Sequence, residues 1–81
     1  MSKFEKLLKR FLSKPKDFKY GELATLLSGL GYSQVKLRGS RRKFARGNGH
    51  TIHCHEPHPK PELPKYVLDL VADELKKEGL V

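Results

Sequence analysis

The apolar residues of this chain change their spacing at Gly31, and that change restricts the folds open to it. Before it, Leu23, Leu26, Leu27 and Leu30 fall three and four residues apart, the spacing of one helical face that begins near Lys19 or Tyr20 and ends at Gly31. From Tyr32 onward the period is two: Val35 and Leu37 alternate with Gln34, Lys36 and Arg38, and Ile52 and Cys54 alternate with Thr51, His53 and His55. Two turn signals divide this stretch. Gly39-Ser40 reads as a two-residue type II′ hairpin turn, and Gly47-Asn48-Gly49 reads as a three-residue loop. Helical spacing returns at Val67, Leu70, Val71 and Leu75, opened by Pro64 and closed by Gly79-Leu80 in the pattern of a Schellman cap. The class is α+β: a three-stranded antiparallel sheet with two helices packed on its apolar face.

A further helix precedes this body. Phe4, Leu7, Leu8, Phe11 and Leu12 share one face, with Lys3, Lys6, Lys9 and Arg10 around the rest of the turn, and the pattern stops before Pro15. Residues 1–16 are read as an amphipathic helix and linker, and residues 17–81 as the domain, with Asp17 a candidate helix cap. The apolar stripe suits packing on the domain or on another copy; a membrane surface or an RNA backbone is the alternative. No apolar run has the length of a signal peptide or a membrane span, and the single cysteine, Cys54, leaves no internal disulfide. A cytoplasmic protein with no membrane partner is expected.

Charge gives the chain a direction. Its formal net charge is +8, which favours a polyanionic partner. No acid occurs between Glu22 and Glu56, while Lys36, Arg38, Arg41, Arg42, Lys43 and Arg46 all lie in that window. With Gly39-Ser40 as the turn, Arg38 opposes Arg41, Lys36 opposes Lys43, and Val35 opposes Phe44. With Gly47-Asn48-Gly49 as the loop, Arg46 opposes His50, Phe44 opposes Ile52, Lys43 opposes His53, and Arg41 opposes His55. Apolar meets apolar in both hairpins, and the other face collects Lys36, Arg38, Arg41, Lys43, His53 and His55. Like charges directly opposed destabilise a sheet, so the face is either a solvated corner or half of a phosphate site. Arg42 falls on the core face opposite Cys54 and is expected to snorkel out at the sheet edge.

The order helix, three strands, helix, together with "DFKYGELATLLSGLGY", "GSRRKF" and "HEPHP", resembles the HicA toxins (YcfA-like), small mRNA-cleaving proteins of toxin–antitoxin pairs. The resemblance runs from about Asp17 to Leu80. It implies a double-stranded-RNA-binding-like fold, metal-independent endoribonuclease activity without any cofactor, RNA as substrate, and a HicB-like antitoxin protein that covers the active site. It also implies a catalytic histidine directly after the Gly-Ser turn, and here that position is Arg41.

Arginine stays protonated and cannot act as a general base, although it can hold a phosphate. Histidine, with an unperturbed pKa of about 6.5, suits proton transfer near neutrality. The register therefore nominates His55, opposite Arg41, as the proton acceptor, and the resemblance of "HEPHP" to the family's proline–histidine loop nominates His58 as general acid or loop anchor. Lys36, Arg38, Gly39, Ser40, Arg42, Lys43, Arg46 and His53 are the candidate RNA contacts. A non-catalytic RNA-binding or antitoxin-binding module of the same fold is the competing reading. Histidines on an open strand face are otherwise simply solvated. His53, Cys54 and His55 do not form a zinc set, because successive strand residues point to opposite faces. Cys54 is read as a small core-facing hydrophobe. Phe18, Tyr32 and Tyr66, at element boundaries, are read as closing the core, with base stacking as the alternative.

Overall fold

A computed structural model describes residues 2–57 and 60–81. Its elements are α1 (Lys3–Leu12), α2 (Tyr20–Gly29), β1 (Ser33–Lys36), β2 (Arg41–Ala45), β3 (Thr51–His55) and α3 (Lys65–Lys77). The strands form one antiparallel sheet in the order β1-β2-β3, so the α+β class holds. Phe44 and Ile52, on one face of the sheet, pack into a single core with Leu23, Leu26 and Leu27 of α2 and with Val67, Leu68, Val71, Ala72 and Leu75 of α3.

Local chemistry sets the helix ends. Ser2 Oγ accepts the Glu5 N–H at 3.1 Å and caps α1. At α2 the Glu22 carboxylate accepts the Lys19 N–H at 3.0 Å, the reciprocal half of a capping box. Asp17, the expected cap, instead pairs with Arg10 at 3.3 Å, because a carboxylate three residues into the helix already serves the amide it would have capped. Both α2 and α3 end in Schellman motifs: Tyr32 N–H donates to Leu27 O and Leu80 N–H to Leu75 O, each at 2.9 Å.

Helix α1 is integral to the core. Phe11 is 0% exposed and stacks tilted on Phe18 at 5.5 Å between centroids. Gly29 of α2 makes the approach of α1 possible, since a Cβ there would sit 2.7 Å from the Phe4 ring. The chain before α3 returns to the chain before α2. Tyr20 N–H donates to Pro61 O at 2.9 Å and Leu63 N–H to Phe18 O at 2.8 Å, which buries Leu63. In the helices, Leu70 is 45% exposed, its expected place inside α3 being taken by Leu68 and Ala72, and Leu30, at the C-cap of α2, is only half-buried.

The β2–β3 register is the expected one, with Arg41 opposite His55, Lys43 opposite His53 and Phe44 opposite Ile52. The β1–β2 register is shifted by one residue. Val35 pairs with Lys43, Lys36 with Arg42 and Gln34 with Phe44, and Leu37 N–H donates to Arg41 O at 2.9 Å. The turn is therefore a three-residue loop, Arg38-Gly39-Ser40, with Gly39 at φ +66°, a left-handed conformation suited to glycine. A one-residue slip exchanges the two faces of a strand. Val35 is consequently 40% exposed on the open face, while Gln34 turns to the core side and donates to Tyr20 Oη at 2.7 Å.

Candidate functional site

The corrected register orders the open face into two rows that cross the sheet. One row runs Leu37, Arg41, His55; the other runs Val35, Lys43, His53. Each cation has an apolar neighbour on one side and a histidine on the other. The opposed pairs Arg38/Arg41 and Lys36/Lys43 do not form, because Arg38 lies in the turn and Lys36 lies on the other side of β1. The sheet thus avoids the like-charge contacts that would weaken it.

Four cations occur between residues 41 and 46, and the fold consumes two of them. The Arg42 side chain is 12% exposed: Nη2 pairs with Glu56 Oε1 at 3.2 Å, and Nη1 donates to Gly39 O at 2.9 Å and to Arg41 O at 2.8 Å. It does not snorkel outward, since the turn carbonyls and Glu56 supply acceptors on the core side. Arg46, at the other end of β2, pairs with Glu78 at 3.4 Å and lies over the Tyr32 ring, 5.7 Å from its centroid. His50 continues that cluster, with Nδ1 at 2.7 Å from Tyr32 Oη and Nε2 at 2.9 Å from Glu74. The imidazole holds the Glu74 carboxyl below the usual range, with burial opposing and Lys77 assisting. Among the described residues, Arg38, Arg41 and Lys43 form no ion pair.

Arg41 and His55 are the close, non-hydrogen-bonded kind of cross-strand pair, whose Cα atoms are separated by roughly 4.5 Å. The turn reaches across to the same histidine. Ser40 Oγ lies 3.3 Å from His55 Nδ1, and Glu56 N–H donates to Ser40 O at 2.8 Å, which ties the end of β3 to the loop. If Nδ1–H donates to Ser40 Oγ, Nε2 is left as the proton acceptor. Arg41, Arg42, His53, Cys54 and His55 line a hollow of about 240 Å³ here. The Cys54 thiol is pushed up by burial, with Arg42 opposing, which keeps it a thiol at neutral pH. Burial likewise pushes Tyr20 up to about 12, so its hydroxyl stays protonated under Gln34.

Of the sequence-nominated residues, the structure gathers Arg41, Lys43, His53, His55 and Ser40 on or beside the open face, with Gly39 and Arg38 in the adjoining turn. Lys36, Arg42 and Arg46 are not part of that group. His58 lies outside the described residues. Among the described residues no three His, Cys, Asp or Glu side chains converge as metal ligands, and no helix is long and apolar enough to cross a membrane.

A family model described as HicA toxin of bacterial toxin-antitoxin matches residues 20–79, from the start of α2 to the cap of α3. The chain belongs to the HicA toxin family. Membership implies a toxin–antitoxin system and an antitoxin partner for this HicA chain. No curated protein and no solved structure matches it. The match begins after α1, so the helix that contributes Phe11 to the core lies outside the matched residues of this HicA domain.

Neither Val35 nor Leu37 was nominated for the open face, because the two-residue turn put them in the core. A three-residue count for the turn would have placed them correctly. Glu56 was also missed as the partner of Arg42. It is the first acid after the basic window, and its reach across β2 is visible only once the strands are paired.

Proposed function

We propose that this HicA chain is a metal-independent endoribonuclease that binds RNA on the open face of its sheet and cleaves it with the Arg41–His55 pair. The observation that carries the reading is the juxtaposition of a cation without a partner among the described residues and a histidine positioned by the Ser40 turn. Arg41 and Lys43 hold the phosphate. His55 Nε2 takes the proton from a ribose 2′-hydroxyl as O2′ attacks phosphorus. The P–O5′ bond breaks, leaving a 2′,3′-cyclic phosphate on one product and a 5′-oxygen that takes a proton from water on the other. Arg41 also offsets charge that builds on the phosphoryl oxygens, a role open to a permanently charged guanidinium. A HicB-like antitoxin covering this face would silence both binding and cleavage.

The test uses two RNAs of one mixed sequence in EDTA, one with free 2′-hydroxyls and one 2′-O-methylated. Both should bind, with affinity falling steeply as salt rises, because each neutralised phosphate releases counterions. Only the first should be cut. Failure to bind either RNA would overturn the proposal.

The arginine in the family's histidine position favours a second reading, a binding module that has lost cleavage. Binding of both RNAs with cleavage of neither, together with cleavage created by Arg41→His, would establish it.

A further inference from the structure

A second hollow adjoins the Arg41–His55 site. It is a groove of about 260 Å³ between β3 and the first turns of α3. Pro57, Pro64, Tyr66, Val67 and Leu70 line it beside β3. Its residues are out of keeping with a soluble surface: Tyr66 is 71% exposed and Leu70, one turn later, 45%. His53, Cys54 and His55 line both this groove and the cationic hollow, so the two are neighbours along one strand.

The groove also lies beside backbone that has no strand partner among the described residues. β3 is an edge strand. Arg46 N–H donates to His50 O, and Glu56 N–H donates to Ser40 O. Antiparallel bonding alternates, so the even-numbered residues of β3 face β2, and the N–H and C=O groups of Thr51, His53 and His55 face the open edge. An apolar groove with an aromatic rim, a few polar groups beside it and cations one strand-width away fits a ligand that carries a flat apolar face and a phosphate in one unit. A nucleotide is such a ligand, and an aliphatic protein side chain is not.

We infer that the groove is a nucleobase subsite, in which Tyr66 stacks on an unpaired base of the strand whose phosphate lies at Arg41 and Lys43. The inference rests on the RNA reading of the open face and adds what that reading lacks, a preference for single-stranded over paired RNA at this point. Stacking on an aromatic side chain tolerates any base, so the subsite selects an unstacked nucleotide more than a sequence.

The probe is a 2′-O-methyl RNA octamer, which is not cleaved, with 2-aminopurine stepped through its positions. Fluorescence quenching at one position on binding the parent protein locates the stacked base. Tyr66→Ala should remove that quenching and weaken binding by about ten-fold, within the range measured for loss of one base-stacking aromatic. The slope of affinity against salt should stay the same. Tyr66→Phe should restore both quenching and affinity. Lys43→Ala should do the reverse, lowering the salt slope by about one while leaving the quenching position unchanged. Tyr66 is exposed, so its replacement leaves the core intact. If the octamer binds Tyr66→Ala as it binds the parent, the inference is overturned and the groove falls to a side chain of a protein partner, while the RNA reading stands. If the parent does not bind the octamer, both fail.

Discussion

Replacing Phe11 by alanine tests whether α1, which precedes the matched family region, holds this HicA domain together. The ring is 0% exposed and meets Phe18 at 5.5 Å, in a core that also receives Leu26, Leu27 and Leu68. Removing a buried phenylalanine side chain typically costs about 3–5 kcal/mol, counting lost transfer energy and the cavity left behind. A chain of 81 residues has a total stability of roughly 4–12 kcal/mol at ordinary values per residue. The variant should therefore lose a quarter or more of its stability, and its Tm should fall by at least about 12 °C at roughly 4 °C per kcal/mol for a domain of this size. Urea unfolding followed by circular dichroism gives the difference, with Leu12→Ala, 42% exposed on the same helix, as the control that should change by less than about 1 kcal/mol. A Phe11→Ala loss below about 1 kcal/mol would refute the reasoning and show that α1 is undocked in solution.

The β1 register predicts that Val35→Gln, which adds no charge opposite Lys43, changes stability by less than about 1 kcal/mol, since the side chain stands on the open face; a loss of about 2 kcal/mol or more, read from the same urea midpoints, would return Val35 to the core. Glu74, whose folded carboxyl is depressed by His50, contributes stability that is present above its unfolded value and is lost as pH falls through the lower folded value. Glu74→Gln should accordingly flatten the acid limb of the stability–pH curve below about pH 5, and an unaltered limb would remove the His50–Glu74 contact from the account. Cys54, raised by burial, should react with iodoacetamide at pH 8 more slowly than glutathione does; an equal or faster rate would mean an exposed or activated thiolate.

The helices and the second hairpin were legible in the sequence for different reasons. Leu23, Leu26 and Leu27 repeat at the helical period with a glycine stop, and Gly79-Leu80 carried a cap whose two hydrogen bonds are both present. The β2–β3 register followed from Phe44 and Ile52, two large apolar residues that can be buried together in one alignment only. β1 offered no such anchor. It is a four-residue edge strand exposed along its whole length, so burial does not choose between its two faces, and the length of the Arg38-Gly39-Ser40 turn decides instead. Pairing Val35 with Phe44 looked consistent because the alternation itself is correct; only its phase was wrong. The basic window was legible as a charge but not as a surface. Arg42 and Arg46 are neutralised by Glu56 and Glu78, which lie 14 and 32 residues away along the chain. Tyr66 was hidden for the opposite reason, since an aromatic beside an apolar helix stripe looks like core until its exposure is known.

Treating the open face as a site for chemistry rests on Arg41 and His55 acting together across β2 and β3. The most direct measurement incubates the metal-free protein with end-labelled RNA beside a His55→Ala variant and resolves both on one denaturing gel. Cleavage by the parent that ends in 2′,3′-cyclic phosphate and is absent from the variant is the result expected. Equal cleavage by both proteins would contradict the account and move the proton acceptor away from His55.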